Sequence, residues 1–418
     1  MEKKCLTVLL IGCILAGVML VQVAACLEGA GREVIAPYVM IPKWEPSTTK
    51  TTVFNCIPLE DDAYYEIIPL GNLNPPGHTF PSDHVYFVLN DGVYDVRAPA
   101  DGFIIHVRNC TFNKEGPYQD YSIYIIHTNT IKSYFHHLSG LADWIVKKTG
   151  EIEVGSEVNV NIPVKAGDVI GIAKKQPGGS VCLDWGAVDY DVTLSFIHPE
   201  IYSDTAHAVC PLDYLNEDLR EKAYLKVNRV GEPRGGKIDY DILGRLSGNW
   251  FLEGVYPWWY WSTHLAFVYY VYNASQMVVS VGGDLLSPLT VGVYNATGPD
   301  FREVSAESGV VTYHLVGYYP DSVRGKNYTL IVQVVDDEKI RVESFEGHQD
   351  GLSFTNKSLF YTRGHYSPAY GYLTWFLIGF SSILYYSQQQ TRNLYLAACG
   401  TATILITAVF AAFKWRKR

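Results

Sequence analysis

Three short segments follow one another between residues 98 and 171, and their order constrains the fold more than any other feature of the sequence. They are Ala98-Pro99-Ala100-Asp101-Gly102, Tyr134-Phe135-His136-His137-Leu138-Ser139 and Val164-Lys165-Ala166-Gly167-Asp168-Val169-Ile170-Gly171. Residues 103–107 alternate in polarity after the first segment, and period-two runs between Gly and Asp turns are typical of β strands. The sequence therefore predicts a β-rich fold around these segments.

The composition agrees with β structure and limits the possible partners. The chain has 418 residues, enough for two globular domains. Hydrophobic residues make up 48% and charged residues 18%, so the chain is not disordered overall. Its 31 Tyr and 36 Gly residues favour strands and turns. The net charge of -10, with no basic stripe between the two ends, argues against nucleic acid as a partner.

In their order and approximate spacing, the three segments resemble the signatures of lysostaphin-type (LytM-like) zinc endopeptidases. The resemblance covers roughly a third of the chain, residues 71–192. It implies a duplicated-hybrid-motif β barrel in a domain at 61–215. It also implies a zinc ion held by a His, an Asp shortly after it and the second His of a closing H-x-H strand. A catalytic zinc keeps one position open for water, whose pKa the metal lowers.

The resemblance assigns the first two zinc ligands to the segment that precedes the strand at 85–89. His78 corresponds to the first ligand and Asp83 to the second, although the family spacing of His-x3-Asp is His-x4-Asp here. A one-residue slip or bulge is therefore expected in this segment. His84 is an alternative ligand at the same place. A turn capped by His and Asp, with no metal, remains the structural alternative.

The closing strand departs from the family pattern, because its two His positions fall on Ala187 and Asp189. We expect Asp189 to replace the third ligand, with Asp184 as an alternate from the preceding turn. His137 corresponds to the family's active-site His, and His136 precedes it. Neighbouring residues of a strand point to opposite faces, so we expect only one of the two, His137, to face the groove.

The second β region spans 235–363, where turns separate short alternating runs in a pattern typical of an antiparallel sandwich or barrel. It opens with Gly248-Asn249-Trp250, which is similar to the G-x-W that begins lipocalin barrels. We interpret Trp250 as a structural side chain packed under the end of a barrel. The expected fold class is thus mainly β: two β domains followed by a C-terminal transmembrane helix.

The two ends of the chain predict export and a membrane anchor. Residues 1–25 combine a basic start, an apolar run and small residues, as a signal peptide does. Cys26 follows in a lipobox-like setting, although ordinary cleavage is the preferred interpretation, and 27–60 is expected to be a spacer. Residues 394–413 are uncharged, long enough to span a bilayer and followed by a basic tail. We therefore expect a cell-membrane protein with an extracellular body, a cytoplasmic tail and a juxtamembrane apolar segment at 372–386.

Cysteines and sequons fit an exported body. Four cysteines there suggest two disulfides of undetermined pairing, at Cys56, Cys110, Cys182 and Cys210. Candidate glycosylation sites begin at Asn109, Asn273, Asn295, Asn327 and Asn356.

Three hypotheses about function follow from these residues. The first is an exported, membrane-anchored metallopeptidase-like protein that uses zinc and acts on an envelope peptide or glycopeptide. The second is an inactive relative whose groove binds such a ligand, and the third is a structural envelope protein. The His and Asp residues around one expected groove favour the first two. The altered closing strand leaves open whether the protein is a hydrolase.

Overall fold

The structure is a computed structural model that describes residues 54–111, 118–176, 180–258 and 260–364. The predicted signal peptide at 1–25, Cys26, most of the spacer and the apolar segments at 372–386 and 394–413 lie outside the described residues. Within the described ranges, no helix has both the length and the apolar character needed to cross a membrane.

Strands from the first half of the chain form an eight-stranded antiparallel sheet. Its members are β1 (Tyr64–Ile68), β2 (His84–Leu89), β4 (Gly102–Asn109), β5 (Tyr121–Ile126), β6 (Ile131–Leu138), β8 (Glu157–Val164), β10 (Cys182–Asp189) and β11 (Ala208–Val209). The spatial order is β1-β2-β10-β6-β5-β4-β8, with β11 paired to β10. The closing strand β10 therefore lies in the middle of the sheet, between β2 and β6.

A smaller three-stranded sheet packs with the first. It contains, in spatial order, β3 (Tyr94–Arg97), β9 (Val169–Ala173) and β7 (Gly140–Leu141). The helices of the described chain are short. They are α1 (Asp143–Thr149) and α2 (Glu217–Tyr224), with 3-10 turns at Pro199–Ile201, Ser203–His207, Pro211–Tyr214, Trp261–Thr263 and Ala306–Ser308. The fold class is therefore mainly β, as the sequence predicts.

The second β region is a closed barrel of eight antiparallel strands, each paired to the next along the chain. The strands are β12 (Gly248–Leu252), β13 (His264–Tyr269), β14 (Met277–Val281), β15 (Gly292–Thr297), β16 (Val310–Tyr319), β17 (Asn327–Asp336), β18 (Lys339–Glu346) and β19 (Leu359–Thr362). Pairing of β19 with β12 closes the ring, which removes exposed strand edges. Of the two predicted alternatives, sandwich or barrel, the structure has the barrel.

Trp250 has the structural role that we expect from its place at the start of the barrel. Its side chain is fully buried and its Nε1 donates to the carbonyl of Leu246 at 2.8 Å. The guanidinium carbon of Arg363, which follows the last strand, lies 3.6 Å from the centroid of the indole ring. Arg363 also donates to the carbonyl oxygens of Ser247 and Asn249, which ties the last strand to the first.

One hydrophobic cluster joins the sheet to the barrel, since its buried members include Phe80 from the first region and Phe251 and Ala266 from the barrel. The ring of Phe80 stacks on His264 with centroids 4.4 Å apart and meets Phe251 edge-on at 5.0 Å. The segment that carries His78 and Asp83 is therefore packed against the barrel on one side and against the sheet on the other.

The predicted disulfides are absent from the described residues, where all four cysteines are free. Three of the thiols lie against different groups: Cys56 Sγ donates to the carbonyl of Ile57 at 3.2 Å, and Cys110 Sγ is 3.5 Å from Ser122 Oγ. Cys210 Sγ is 3.8 Å from Tyr224 Oη. Burial raises the pKa of Cys182 and Cys210 to about 12. The prediction of two disulfides is therefore wrong for this structure.

The sequons differ in exposure. Asn109 is only 4% exposed and its Nδ2 donates to the carbonyl of Ile152 at 2.9 Å, which leaves no space for a glycan. The prediction of a glycan on Asn109 is therefore wrong for the folded chain. Asn327 and Asn356 are exposed, while Asn273 and Asn295 are half-buried. Glycosylation at these four positions stays a prediction.

Candidate functional site

Polar side chains from three neighbouring strands meet on one face of the large sheet. Asp184 on β10 pairs with Tyr86 on β2 and with His136 on β6, and Gly186 pairs with His84 and Tyr134. Directly paired residues point to the same face, so this face collects imidazole, carboxylate and phenol groups. The opposite face of β10 carries Leu183, Trp185 and Ala187, which are fully buried in the core.

Carboxylates and imidazoles alternate along a continuous chain across this face. Asp83 Oδ1 lies 2.9 Å from His84 Nδ1, and His84 Nε2 lies 3.2 Å from Asp184 Oδ2. The same Asp184 oxygen is 3.4 Å from His137 Nε2, and His137 Nδ1 is 3.0 Å from Asp120 Oδ2. Asp184 is thus shared by two imidazoles, and each imidazole is held at its other nitrogen by a second carboxylate. We call these five residues the acid–histidine chain.

A β-bulge brings both histidines of β6 to the site. Tyr121 pairs with Leu138 and Ile123 pairs with Phe135, so Ser122 alone faces both His136 and His137. His137 adopts a left-handed backbone, with φ of 67°, which is uncommon for a residue other than Gly. The expectation that the two would point to opposite faces is therefore wrong, because the extra residue breaks the period-two alternation.

Gly186 makes room for one member of the site. A Cβ atom at residue 186 would lie 2.0 Å from Cζ of Tyr134, a distance that no side chain tolerates. The Tyr134 ring occupies this space and its hydroxyl donates to Asp83 Oδ1 at 2.9 Å. Thr205 donates to the other oxygen of Asp83 at 2.6 Å. Asp83 is consequently fixed from two sides while it orients His84.

Charge alternates along the acid–histidine chain. Burial opposes the charge on His84, but Asp184 and Asp83 outweigh it and raise the pKa of His84 far above its usual value. Burial likewise opposes the charge on His137, while Asp120 and then Asp184 raise its pKa. Burial acts to raise the pKa of Asp184, but His84 and then His137 lower it overall. Both imidazoles therefore favour the protonated form when they have only the carboxylates as partners.

Two further histidines beside the chain are neutral. Burial, followed by the charge of His84, lowers the pKa of His78 and of His136 to about 4. The His78 ring lies 5.2 Å from that of His84, and the His136 ring lies 6.2 Å from it. His136 Nδ1 is 2.9 Å from Ser122 Oγ. The site thus holds neutral imidazoles, able to accept protons, next to charged ones.

Several buried atoms of the site have no hydrogen-bond partner among the described residues. They are His84 Nε2, Asp184 Oδ1 and Asp120 Oδ1. The contact of His84 Nε2 with Asp184 is an ion pair without hydrogen-bond geometry. Leaving buried polar atoms unpaired costs free energy, so such atoms usually have an ion, water or ligand as a partner.

The structure brings together only part of the ligand set expected from the sequence. Asp83, the alternates His84 and Asp184, His137 and His136 all lie in or beside the acid–histidine chain, and His78 adjoins it. Asp189 does not. Its carboxylate accepts hydrogen bonds from Tyr214 Oη at 2.6 Å and from the backbone of Asp191 at 3.0 Å.

The prediction that Asp189 meets His78 and Asp83 at a metal is therefore wrong. Residues 184, 186 and 188 share one face of β10 by period two, while 185, 187 and 189 share the other. The two positions of the closing strand that face the site are thus Asp184 and Gly186, rather than Ala187 and Asp189.

No group of three or more His, Cys, Asp or Glu side chains within the described ranges is arranged to hold a metal ion. In the acid–histidine chain the donor atoms hold one another in ion pairs. The spacing of these donor atoms nonetheless suits a metal. Two ligand atoms that each lie roughly 2.0–2.2 Å from a zinc ion are about 3.3 Å from each other. The separations of Asp184 Oδ2 from His84 Nε2, 3.2 Å, and from His137 Nε2, 3.4 Å, are close to this value.

Sequence reasoning missed two side chains that orient the site. Asp120 precedes β5 in a segment without a recognisable motif, and it is identified only by the bulge that turns His137 towards it. Thr205 lies in a 3-10 turn that packs on β10. Tyr134 belongs to the second sequence segment, but no spacing indicates that its hydroxyl bonds Asp83.

Comparisons with known proteins give little further information. No family model matches the chain, and no curated protein matches it. Among solved structures it is similar to a zinc-containing peptidase from Vibrio cholerae, with 21% sequence identity and a TM-score of 0.22. The match covers 33% of this chain and 37% of that one, so the chain spans little more than a third of the structure it matches. A TM-score this low does not establish a shared fold.

Proposed function

We propose that this protein is a metallopeptidase-like protein whose acid–histidine chain binds zinc or a similar divalent ion and acts on a peptide or glycopeptide. His84 and Asp184 would hold the ion together with His137, which the bulge turns towards Asp184. Asp83 and Asp120 would fix the orientation of the two imidazoles. When bound, such a metal activates a water molecule and polarises a carbonyl group.

One observation carries the proposal. Two imidazole nitrogens converge on the same carboxylate oxygen, and each imidazole is oriented by a carboxylate at its other nitrogen, at 2.9 and 3.0 Å. Metal-binding histidines have this arrangement, because the outer carboxylate fixes the tautomer and the ring plane. His84 Nε2 and Asp184 Oδ1 are also buried without a hydrogen-bond partner among the described residues, a state that a bound ion or water usually relieves.

A neutral histidine next to the proposed metal supports a hydrolytic role. His136 keeps a pKa of about 4 through burial and the charge of His84, so it is unprotonated at neutral pH. Its ring lies in the same cluster as His84 and Tyr134. An unprotonated imidazole within reach of the substrate can take up a proton during peptide hydrolysis. We propose His136 as the residue that takes up this proton, while His137 serves as a ligand of the metal.

Calorimetric zinc titration of the purified full-length chain tests the proposal. We expect one zinc per wild-type chain, and at least about tenfold weaker binding in His84→Ala and Asp184→Asn, since loss of even an outer group that orients a ligand costs about 10–100-fold. Asp189→Asn is the matched control. It removes the ligand expected from sequence but lies on the core side of β10, so it should bind zinc as the wild type does.

Two results would count against the proposal. Wild-type protein that takes up no zinc would exclude the metal site, and a selective loss in Asp189→Asn would mean that β10 has the other register. Hydrolysis of a peptide by the zinc-loaded protein, with a lower rate in His136→Gln, would identify the protein as an enzyme. Zinc binding without hydrolysis would identify it as a binding protein.

One observation favours a second candidate, a binding protein without hydrolytic activity. Gly186 supplies no ligand, and the Tyr134 ring fills the space in which a ligand at that position would lie. The acid–histidine chain is also complete as a set of ion pairs without any metal. This candidate predicts peptide or glycopeptide binding that zinc chelation leaves unchanged.

We propose further that the protein is exported and anchored in the cell membrane by residues 394–413, with its body outside and its basic tail in the cytoplasm. The support is the sequence of the two ends, which lie outside the described residues. Protease added to intact cells should digest the body and spare the tail. Full protection of the body would contradict export.

A further inference from the structure

We infer that a tyrosine-lined cavity between the barrel and the segment 71–82 is a binding subsite for one ring of a neutral saccharide. The inference deepens the proposed function, on which it rests, by naming the ligand class taken up next to the acid–histidine chain. The cavity has a volume of about 250 Å³. Its walls include Asn72 and Asn74 from the segment and Tyr270, Tyr272, Tyr318 and Tyr319 from the barrel.

The chemistry of the walls selects a neutral, polar ligand. Of the described residues that line the cavity, none carries a charge. Phenol hydroxyls and amide groups both donate and accept hydrogen bonds, as sugar hydroxyls do. Aromatic faces carry a negative quadrupole that attracts the polarised C–H groups on the face of a sugar ring. A charged ligand would lose its hydration on entering the cavity, and no described lining residue supplies an opposite charge to compensate for that loss.

The tyrosine side chains are arranged so that both a ring face and a ring edge are available to a ligand. The rings of Tyr270 and Tyr318 meet edge-to-face with centroids 5.2 Å apart, and their hydroxyls are hydrogen-bonded to each other. Tyr319 Oη donates to Asn74 Oδ1 at 2.8 Å, which fixes the amide of the opposite wall. Tyr318 and Tyr319 are 39% and 38% exposed, so the cavity is open to solvent on their side.

The size of the cavity favours a ring over an extended peptide. Pockets for drug-sized ligands measure roughly 300–1,000 Å³, so this one suits a smaller unit such as a single sugar ring. One common way to bind an extended peptide is to add it as a strand at a free sheet edge. The closed barrel beside this cavity has no free edge, since β12 to β19 are all paired on both sides.

A short segment connects the cavity to the acid–histidine chain. Asn74, in the cavity wall, exchanges two backbone hydrogen bonds with His78, at 2.9 and 3.0 Å. The His78 ring then lies 5.2 Å from that of His84. A saccharide in the cavity would therefore be held by the same segment that borders the proposed metal site. This arrangement suits a ligand in which a sugar is joined to the group that the site acts on.

Ligand-observed NMR with the full-length chain tests the inference, using maltose, cellobiose, N,N′-diacetylchitobiose and tetraglycine as probes. We expect at least one disaccharide to bind. Tyr318→Ala should weaken that binding about fivefold or more, since an aromatic contact is worth about 1 kcal/mol. Tyr318→Phe keeps the ring and should retain most of the affinity. Tyr260→Ala removes an aromatic side chain that is 61% exposed and outside the cavity, and it should bind as the wild type does.

Three outcomes would decide against the inference. Absence of disaccharide binding, or binding that Tyr318→Ala and Tyr319→Ala leave unchanged while both variants stay folded, would overturn it. Tetraglycine binding that is lost in Tyr318→Ala would make the cavity a peptide subsite instead. The same titrations with His84→Ala separate the two proposals, because loss of zinc binding should leave disaccharide affinity unchanged. Disaccharide binding by a protein that takes up no zinc would leave the subsite standing and defeat the metallopeptidase proposal.

Discussion

The side chain of Tyr134 lies directly over the Cα of Gly186, where an added Cβ atom would be 2.0 Å from the ring. The two residues are paired across β6 and β10, so the contact is set by the register of the sheet. Because the Tyr134 hydroxyl bonds Asp83, and Asp83 orients His84, this glycine affects the site without contributing an atom to it.

Gly186→Ala should therefore disturb the site indirectly, by displacing Tyr134. The added methyl group must displace Tyr134, which we expect to destabilise the protein by about 1–3 kcal/mol, the usual range for overpacking. It should also weaken zinc binding, because Asp83 loses its Tyr134 donor. Tyr134→Phe is the matched control, since it removes the same hydrogen bond without a steric clash. Urea unfolding and zinc titration of both variants measure the two effects, and an unperturbed Gly186→Ala protein would contradict the packing described here.

Because the backbone of His137 is left-handed, two substitutions of this residue should differ in stability while having the same effect on zinc affinity. A residue other than Gly pays roughly 1–2 kcal/mol for this conformation. His137→Gly should consequently be more stable than His137→Ala by about 1 kcal/mol. Both variants lack the imidazole, so both should lose zinc affinity to a similar extent. Equal stability of the two variants in urea unfolding would mean that the bulge relaxes once the side chain is removed.

Much of the barrel is predictable from sequence because its strands alternate strongly. The sequence predicts strands at 277–281, 310–316 and 339–345; the first has these bounds in the structure, and the other two run on to Tyr319 and Glu346. Strand β15 is less evident in the sequence, because Asn295 and Thr297 interrupt its apolar pattern. The sequence also predicts a helix at 141–148, and the structure has a helix at Asp143–Thr149. Local periodicity therefore indicates these elements, while their ends depend on tertiary pairing.

The site was less predictable because it depends on register. The sequence indicates that β10 alternates but does not indicate which of its faces meets β2 and β6. A shift of one residue moves every side chain to the other face, so the family match, which falls on Ala187 and Asp189, selects the core face of β10. His136 and His137 could not both be assigned to the site, because only the pairing of β5 with β6 reveals the bulge. Asp120 depends on the same bulge.

The buried ion pair at the end of the barrel predicts a large and specific loss of stability. Arg363 is 1% exposed, lies 3.2 Å from Asp241 and covers Trp250. Arg363→Met should destabilise the protein by about 3–5 kcal/mol, because the Asp241 carboxylate is left buried without its partner. The double variant Arg363→Met/Asp241→Asn should recover part of this loss, as coupled residues do. Additive losses in urea unfolding would show that the two side chains act independently.

Acid should destabilise the packing between sheet and barrel through His264. Burial lowers the pKa of His264 to about 4 from its ordinary 6.5, and the hydrogen bond to the Pro257 carbonyl offsets only part of this effect. Between these two values the unfolded chain binds the proton more readily than the folded chain does. The stability contributed by the neutral imidazole is therefore complete above pH 6.5 and is lost as the pH falls through 4.

His264→Gln should remove this pH dependence, since a neutral amide can still donate to Pro257 and cannot take up the proton. We expect the free energy of unfolding of the wild type to fall between pH 7 and pH 4 by about 2–3 kcal/mol more than that of the variant. His127 provides an independent check, because burial also lowers its pKa to about 4 and it lies within the first sheet, bonded to Ser133. His127→Gln should likewise reduce the fall in the free energy of unfolding between pH 7 and pH 4. The two reductions should add in the double variant, because His127 and His264 share no partner. The measurement is urea unfolding at a series of pH values, and parallel curves for wild type and His264→Gln would show that this imidazole does not control acid stability.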